Sequence, residues 1–574
     1  MASATERSRS RSALLPLAVL CLACSPAMAR GGAISGSVKA RSDGSGLPWV
    51  FVTVRDANTG LLAGVGTTDA SGDYSIAIPS LGAYTLRAAS LGYGPVPPEP
   101  VELSQAAPDP KVDIALDKDH LVQAQTAAPK PASTWGTGAS KSYLVPALEL
   151  PAFLTLLSLY DRHAYPDQME NGKKVYSSTV ASTWDHVIHQ HWVIDQDPFA
   201  INQFMHPYQG TIFHGFARSA GLNYWEALLY DNMGSFEWKM AGETDPPSIN
   251  DQIATGIAGS FFGEALFRMA NLLWEDDETN PSFLRKVGGI LASPSAGFNR
   301  YAFGDRFHSA FSSGDPAVFS WLQLGEGLQS NQNDEGVRST GNRNQAMATF
   351  SLAYGLPGKD GYTYTRPFDY FHFEFDALAN SGNTVDNVMI RGLLLGTDYE
   401  IGTGIDGIWG LYGGYDYISP YIFRVSSTSV SLGSTFQAKV SDPVTLQGSL
   451  LAGGGYAAAG NITPVGQRDY HYGFAPQALA AMRLMFGRWA MLDATERYYY
   501  VSGTGSDNAG GNESVHRLNS GFTVRLFGRQ AIGIQYIAST RSAHYPGLPD
   551  SHQGVGTVAL VYTLLGKTGF GAVK

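Results

Sequence analysis

Tyr370-Phe371-His372-Phe373-Glu374-Phe375-Asp376-Ala377-Leu378-Ala379 alternates strictly. Phe371, Phe373, Phe375 and Ala377 fall on one face, and His372, Glu374 and Asp376 on the other. A period of two belongs to a β-strand with one apolar and one polar face. The pattern recurs downstream. Phe522, Val524 and Leu526 alternate with Thr523 and Arg525. Ile532, Ile534, Tyr536 and Ala538 alternate with Gly533, Gln535 and Ser539, and Val558, Leu560, Tyr562 and Leu564 with Thr557 and Thr563.

Working outward, about twelve such segments of roughly 10 to 16 residues follow one another, the length a tilted membrane strand needs. They are expected at 318–328, 345–357, 369–380, 386–402, 407–418, 425–440, 444–459, 471–486, 489–502, 513–527, 530–542 and 555–566. Their connections sort by length. Gly487-Arg488, Gly528-Arg529, Asp406-Gly407 and Asp442-Pro443 read as tight turns. Between them lie long polar loops at Gln329–Asn344, Asn461–Tyr470, Gly503–Asn512 and Ala543–Gly554. Alternating short and long connections mark an outer-membrane barrel, short turns in the periplasm and long loops outside. A soluble sandwich would leave loop lengths unsorted. Tyr498-Tyr499-Tyr500 and other aromatics near strand ends fit membrane-interface girdles. An even strand count puts both barrel ends on the short-turn side, so the N-terminal domains are expected in the periplasm. Two features break the pattern: a long loop after Pro357, and a chain that runs on past Leu565 to Lys574 instead of ending in an aromatic strand residue.

The fold class expected for the chain is therefore mainly β, with a transmembrane antiparallel barrel of about twelve strands over 315–566. Composition agrees. Of 574 residues only 16% are charged, and the net charge is −11, the wrong sign for a nucleic-acid binder. No uncharged apolar run reaches the ~18 residues of a helical span. Arg7, Arg9 and Arg11, the apolar run Ala13–Cys24 and Ala27-Met28-Ala29 make residues 1–29 a secretory signal peptide. Lipidation at Cys24 is the alternative, though Cys21 fits a lipobox poorly. Cys21 and Cys24 are the chain's two cysteines, so the mature protein is expected to lack disulfides, thiolate metal sites and cysteine nucleophiles.

Residues 33–116 read as about seven short strands with turns at Asn58-Thr59-Gly60 and Asp69-Ala70-Ser71-Gly72-Asp73, an Ig-like sandwich. Gly36-Ser37-Val38, Leu47-Pro48, Thr68–Tyr74 and Gly92-Tyr93 give this segment a resemblance to the carboxypeptidase regulatory-like domain. The resemblance implies a non-catalytic accessory module without a peptidase site. Residues 117–142, rich in Ala, Pro, Ser and Thr, read as a flexible linker.

The stretch 143–310 is a central helical module. Pro146–Tyr160 is apolar but contains Glu149 and Pro151, the mark of an amphipathic helix. His186, His189 and His191 crowd one short stretch. Without a carboxylate or cysteine at ligand spacing they read as ordinary histidines, and no metal or other cofactor is expected. Ser248 and Asp251 form a capping-box-like pair opening a helix to Glu275. Gly259 and Gly263 in that helix allow close approach of another backbone. Its uncharged stretch is too short to span, so it is expected against the barrel mouth or plugging it. Glu264 and Arg268 are spaced to pair on one face, most simply as a structural ion pair.

Trp184-Asp185, Asp195-Gln196-Asp197, Asn202, His206-Pro207-Tyr208-Gln209-Gly210, Ala217-Arg218-Ser219, Trp225-Glu226, Gly234-Ser235, Trp238, Gly242-Glu243, Pro247–Asp251 and Gly263-Glu264 together give residues 180–305 a resemblance to the bacterial domain of unknown function 3943. The resemblance implies association with outer-membrane barrels of Gram-negative bacteria and brings no established activity. On these motifs the candidate functional residues are His206, Tyr208, Arg218, Glu226, Glu243, Asn250, Asp251 and Glu264. His372, Glu374 and Asp376 are candidate lumen-facing residues, and no catalytic residue is identified. HExxH, GxSxG, Walker and GxGxxG signatures are absent.

The expected function is an outer-membrane barrel that binds, positions or passes an envelope component or small solute, with a periplasmic accessory domain. A membrane-embedded hydrolase of lipid or envelope polymer is one alternative, and a structural or adhesive envelope protein another. Expected partners are outer-membrane lipid, the barrel assembly machinery, and a periplasmic or cell-wall partner reached through 33–116.

Overall fold

A computed structural model describes residues 32–117 and 141–573, apart from 60–61, 91–92, 94–96, 171–172, 190–191, 196, 276–281, 304–312, 334–342, 380–384, 403, 421, 462–469 and 506–509. The signal peptide and almost all of the linker lie outside the described residues. The chain divides into two compact units, 1–119 and 120–574.

The first unit holds seven strands, β1 (Gly32–Ala40), β2 (Phe51–Asp56), β3 (Leu62–Thr67), β4 (Asp73–Ile78), β5 (Gly82–Ala89), β6 (Glu99–Leu103) and β7 (Ile114–Leu116). They form two sheets, β4-β1-β7 and β3-β2-β5-β6. β4 alternates buried and exposed residues, and Ile34, Val52, Tyr74, Ile76 and Leu86 fill the space between the sheets. This is the Ig-like sandwich.

The second unit opens with helices α1 (Leu144–Ala164), α2 (Val180–His189), α3 (His206–Ser219), α4 (Tyr224–Glu237), α5 (Ile249–Asp251), α6 (Gly259–Glu275), α7 (Phe283–Ala292) and α8 (Pro294–Ala302). A small hairpin, β8 (Met169–Glu170) and β9 (Lys173–Lys174), follows α1. π-helical segments lead into α3 (Ile201–Met205), extend α4 (Trp238–Gly242) and join α5 to α6 (Gln252–Ala258).

Twelve strands then close an antiparallel barrel in sequence order. They are β10 (Val318–Asn333), β11 (Arg343–Tyr354), β12 (Phe371–Leu378), β13 (Val385–Ile401), β14 (Ile405–Ile418), β15 (Phe423–Ser441), β16 (Val444–Asn461), β17 (Tyr470–Phe486), β18 (Ala490–Ser502), β19 (Asn512–Phe527), β20 (Gln530–His544) and β21 (Ser551–Leu565). β21 pairs with β10 and completes the ring. Both ends of the barrel chain emerge at the rim carrying the short turns. One tight turn differs from expectation: Asp406-Gly407 lies within β14, which begins at Ile405, so the chain reverses before it.

The polar face of each strand points inward. Asn519 on β19 donates to Glu374 on β12 at 3.2 Å, and Arg517 approaches Asp376 at 3.5 Å. Tyr499 on β18 donates to Asp416 on β14 at 2.7 Å. These strands are not neighbours, so the contacts cross the lumen. Lumen cavities of about 60, 30 and 20 Å³ remain between such residues, room for about one water in the smallest and a few in the largest.

Both departures from the strand pattern fold into the short-turn end. Within the loop 355–370, Leu356 and Tyr364 join the inward-facing cluster of Phe319, Tyr370, Leu393 and Met485. The C-terminal tail turns inward after Leu565. Phe570 is buried there, with the Arg525 guanidinium 5.3 Å from its ring centre, and Gln447 donates to the Gly571 carbonyl at 2.8 Å.

Outward positions divide in two. Leu322, Leu450, Phe522, Ile534 and Leu560 are exposed. Phe371, Phe373, Ile390, Tyr415, Tyr417 and Tyr472 point outward yet are buried, because the helical module packs on them. Phe262 stacks on Phe373 and Tyr415, and a Cβ on Gly413 would meet the Phe261 ring at 2.6 Å. The helix expected to plug the mouth therefore lies along the outer wall. Its face of Phe261, Phe262 and Ala265 matches an apolar wall, whereas the lumen offers charge. Asn250 at its start donates to Tyr472, the third residue of β17 at the long-loop rim. Glu275 at its end accepts from Ser313, just before β10 at the other rim. Residues 249–275 are ~40 Å long at 1.5 Å per residue.

Candidate functional site

The three π-helical segments meet at one place. Each inserts an extra residue per turn, a local strain that recurs at functional sites. The first delivers Asn202 and Gln203 and ends at His206. The second carries Lys239, and the third begins after Asp251. Lys239 Nζ sits 2.5 Å from Asp251 Oδ2, 2.6 Å from Glu243 Oε2 and 3.8 Å from Asp195 Oδ2. His206 Nε2 lies 3.4 Å from Asp251 Oδ2. Asn250 donates to Asp251 Oδ1 at 2.9 Å and accepts from the Asp195 amide at 2.7 Å. Trp238 Nε1 donates to Glu243 Oε1 at 2.7 Å.

The barrel closes one side of this centre with tyrosine hydroxyls. Tyr472 accepts from Gln203 at 2.8 Å and Asn250 at 3.0 Å. Tyr470 accepts from Asn202 at 2.9 Å and donates to the Asp197 carbonyl at 2.6 Å. Tyr415 donates to the Gln203 carbonyl.

Carboxylates outnumber cations here, and the acidities follow. Burial, and behind it the Asp251 carboxylate, pushes the Asp195 carboxyl up. Burial, then the carboxylates of Asp195 and Glu243, pushes Asp197 up to about 8. A neutral carboxyl beside ionised ones is the pairing that acid–base chemistry uses. The centre also has unused hydrogen-bonding capacity. Asn202 Oδ1 and Gln209 Nε2 are buried without a hydrogen-bond partner, and His206 Nε2 has only its looser contact to Asp251. Buried polar atoms left unpaired cost about 1–3 kcal/mol each unless something meets them.

A second buried network lies further along α3 and α6. Glu264 accepts from His214 Nε2 at 3.0 Å, Arg218 Nε at 2.7 Å and Arg268 Nε at 2.8 Å. His214 Nδ1 bonds Asp231 at 2.7 Å. Glu264 faces three basic side chains and Asp231 one, and the geometry is that of a structural tie.

The candidate residues therefore separate. His206, Glu243, Asn250 and Asp251 share the polar centre. Arg218 and Glu264 belong to the second network, where Glu264 also holds Arg268. Tyr208 stacks on Phe204 and meets Phe262 at a tilt in the aromatic packing. Glu226 closes a capping box with Asn223 and accepts from Lys141 at 2.9 Å and Tyr143 at 2.7 Å, at the start of α4. His372, Glu374 and Asp376 line the lumen. Ser248 makes no side-chain cap, and the Asp251 carboxylate is turned to Lys239 and Asn250 rather than back to the helix start. His186 is buried with Nδ1 3.2 Å from the Lys239 carbonyl, and His189 faces Asp185 at 3.1 Å. His191 lies outside the described residues. Among the described residues no group of three or more His, Cys, Asp or Glu is placed to hold a metal ion.

Sequence reading missed Lys239, His214 and Asp231. Lys239 stands between Trp238 and Met240, and its i,i+4 spacing to Glu243 was the available signal.

Comparison with known proteins agrees with this division. The model of the family "Domain of unknown function (DUF3943)" matches residues 191–295, and that of the "Carboxypeptidase regulatory-like domain" matches 33–117. No curated protein matches the chain. Among solved structures, the group B streptococcus pilus 2b backbone protein is 21% identical with a TM-score of 0.14. That match covers 16% of this chain and 42% of that one, under half its length. The outer membrane channel DcaP of Acinetobacter baumannii is 9% identical, covering 43% of this chain and 96% of that one, with a TM-score of 0.22. The NanC porin is 6% identical, covering 41% and 98%, also at 0.22.

Proposed function

We propose that this chain is an outer-membrane barrel whose functional part is the helical module on its wall. The module's polar centre binds and positions the polar portion of an envelope component. The apolar outer band and the sorted loop lengths support the membrane location. By the same reasoning the short-turn rim faces the periplasm, where the sandwich is an adaptor to a periplasmic or cell-wall partner. Outer-membrane lipid and the barrel assembly machinery are the remaining partners.

The observation that carries the reading is the convergence of three π-helical segments on His206, Lys239 and Asp251, with unpaired buried polar atoms around them. Passage through the lumen is disfavoured, because cross-lumen contacts leave room only for waters. The test is native mass spectrometry of the protein purified from outer membranes in mild detergent. Wild type is expected to retain a co-purifying lipid or glycan that Asp251→Asn and His206→Ala lose. An unloaded wild type under gentle extraction would count against the reading.

The raised carboxyl of Asp197 favours a second reading, hydrolysis of a bound envelope lipid or polymer, with Asp197 as proton donor. Labelled outer-membrane lipid should then be cleaved by wild type and spared by Asp197→Asn.

A further inference from the structure

The helical module is built inside out. Lys239, Asp251, Glu264, Arg268, Asp231 and His214 are all buried. The exposed stripe of α4 is Trp225, Leu229, Met233 and Phe236, without a charge. On α1 the exposed residues from Leu144 to Tyr160 are Leu144, Ala147, Leu148, Ala152, Thr155, Leu156, Leu159 and Tyr160. A water-facing helix carries charge on that face. Contiguous apolar surface of this extent marks contact with something apolar.

We propose that this face is covered by lipid acyl chains, so that the bundle crosses the outer membrane beside the barrel. The inference rests on the membrane reading of the barrel given above. Three observations name lipid as the occupant. The apolar face continues the barrel's exposed outer band, since the bundle is seated on that wall. α1 is long and apolar enough to cross, with 21 residues and a mean hydropathy of 1.3 over its best window. That length is ~32 Å against a hydrocarbon layer of ~30 Å. Finally, its charges sit at the ends, Lys141 before it and Arg162 and His163 in its last turn, where long cationic side chains reach headgroups. The sequence expectation of an amphipathic helix is thereby refined. Glu149, the charge within the apolar stretch, turns inward to Asn299 at 3.1 Å.

The experiment uses nitroxide labels on the full chain with Cys21 and Cys24 replaced by serine, reconstituted in phosphatidylcholine vesicles. Single cysteines replace Leu148, Leu156, Leu229 and Met233 on the bundle. Ile534 and Leu560 serve on the barrel band and Leu548 on a long loop. The expected result is oxygen accessibility and protection from a water-soluble nickel chelate at the bundle positions, matching Ile534 and Leu560. Bundle labels that behave like Leu548, with Ile534 and Leu560 still in lipid, would overturn the inference and leave the barrel reading standing. Water exposure at Ile534 and Leu560 as well would overturn both. Crosslinking of the unsubstituted protein to acyl-diazirine lipid probes the same contact without mutation. Adducts on 144–160 and 225–236 support the inference, and adducts confined to barrel strands reject it.

Discussion

Arg268 Nη1 donates to Asp369 Oδ1 at 3.0 Å, and both side chains are buried. Arg268 is on α6 of the module, and Asp369 is in the loop that leads into the barrel's third strand. The same guanidinium donates to Glu264 and to the Pro367 carbonyl. One side chain therefore couples the module's inner network to the barrel wall. Removing it in Arg268→Ala takes one cation from Glu264, which keeps Arg218 and His214, and one from Asp369, which keeps Arg366. The expected cost is ~1–3 kcal/mol. It should appear as early loss of helical circular dichroism while the barrel still shows its unboiled gel mobility. Simultaneous loss of both signals would show that module and barrel do not unfold separately.

The contact of α3 with α6 depends on glycine. A Cβ on Gly210 would meet the Thr255 carbonyl oxygen at 2.0 Å, and one on Gly259 would meet the Gly210 Cα at 2.7 Å. One on Gly263 would meet His214 Cβ at 2.6 Å. Gly210→Leu should push the helices apart, pull His206 from Asp251, and cost ~1–3 kcal/mol as overpacking does. Hydrogen exchange over 201–215 should rise in this variant. Unchanged exchange would mean the helices have slack that the distances deny.

Legibility in the sequence follows from which faces repeat. The alternation around Phe371–Ala377 gave strand ends to within a few residues and put His372, Glu374 and Asp376 on one side. It could not tell lipid from helix as the cover of the apolar side, because Phe373 alternates identically whether Phe262 or an acyl chain meets it. The loop after Pro357 and the tail past Leu565 read as breaches of a rule. The tail turns into the lumen, and the loop sends Leu356 and Tyr364 inward but Pro367, Phe368 and Asp369 to the module, which loop-length parity does not encode. In the module, motif residues so close in sequence as His206 and Tyr208 parted company. His206 meets Asp251 across two elements, while Tyr208 only packs. Lys239 carries no recognised motif, since Asp195 and Asp251 reach it from distant parts of the chain and only Glu243, four residues on, is local.

Asp197 makes stability depend on pH in a definite direction. Its carboxyl is raised to about 8 in the folded chain, chiefly by burial, against about 3.9 when unfolded. Below about 4 both states hold the proton and the group is neutral in effect. As pH rises from there the unfolded chain loses its proton first, so folding weakens until the folded carboxyl also ionises. Asp197→Asn should match wild type near pH 4, then become progressively the more stable up to pH ~8, with a constant gap above. Melting of the module, followed by helical circular dichroism between those limits, checks this. Parallel profiles for the two proteins would mean that folding does not shift the Asp197 carboxyl.

The barrel should not conduct. Asn519 to Glu374, Arg517 to Asp376 and Tyr499 to Asp416 cross its middle, and Phe570 seals the short-turn end against Phe319 and Arg525. In planar bilayers wild type is expected to give no single-channel steps. Truncation after Leu565 removes the lower seal, including the bonds from Gln437 to Val573 and from Gln447 to Gly571. The mid-lumen contacts remain, so the truncated chain should still be silent while losing thermal stability. Steps should emerge only when truncation is combined with Glu374→Ala, Arg517→Ala and Tyr499→Ala, which remove all three mid-lumen contacts. Conductance in wild type would mean that the cross-lumen contacts open readily in a bilayer. It would return the lumen, rather than the module, to the centre of the functional question.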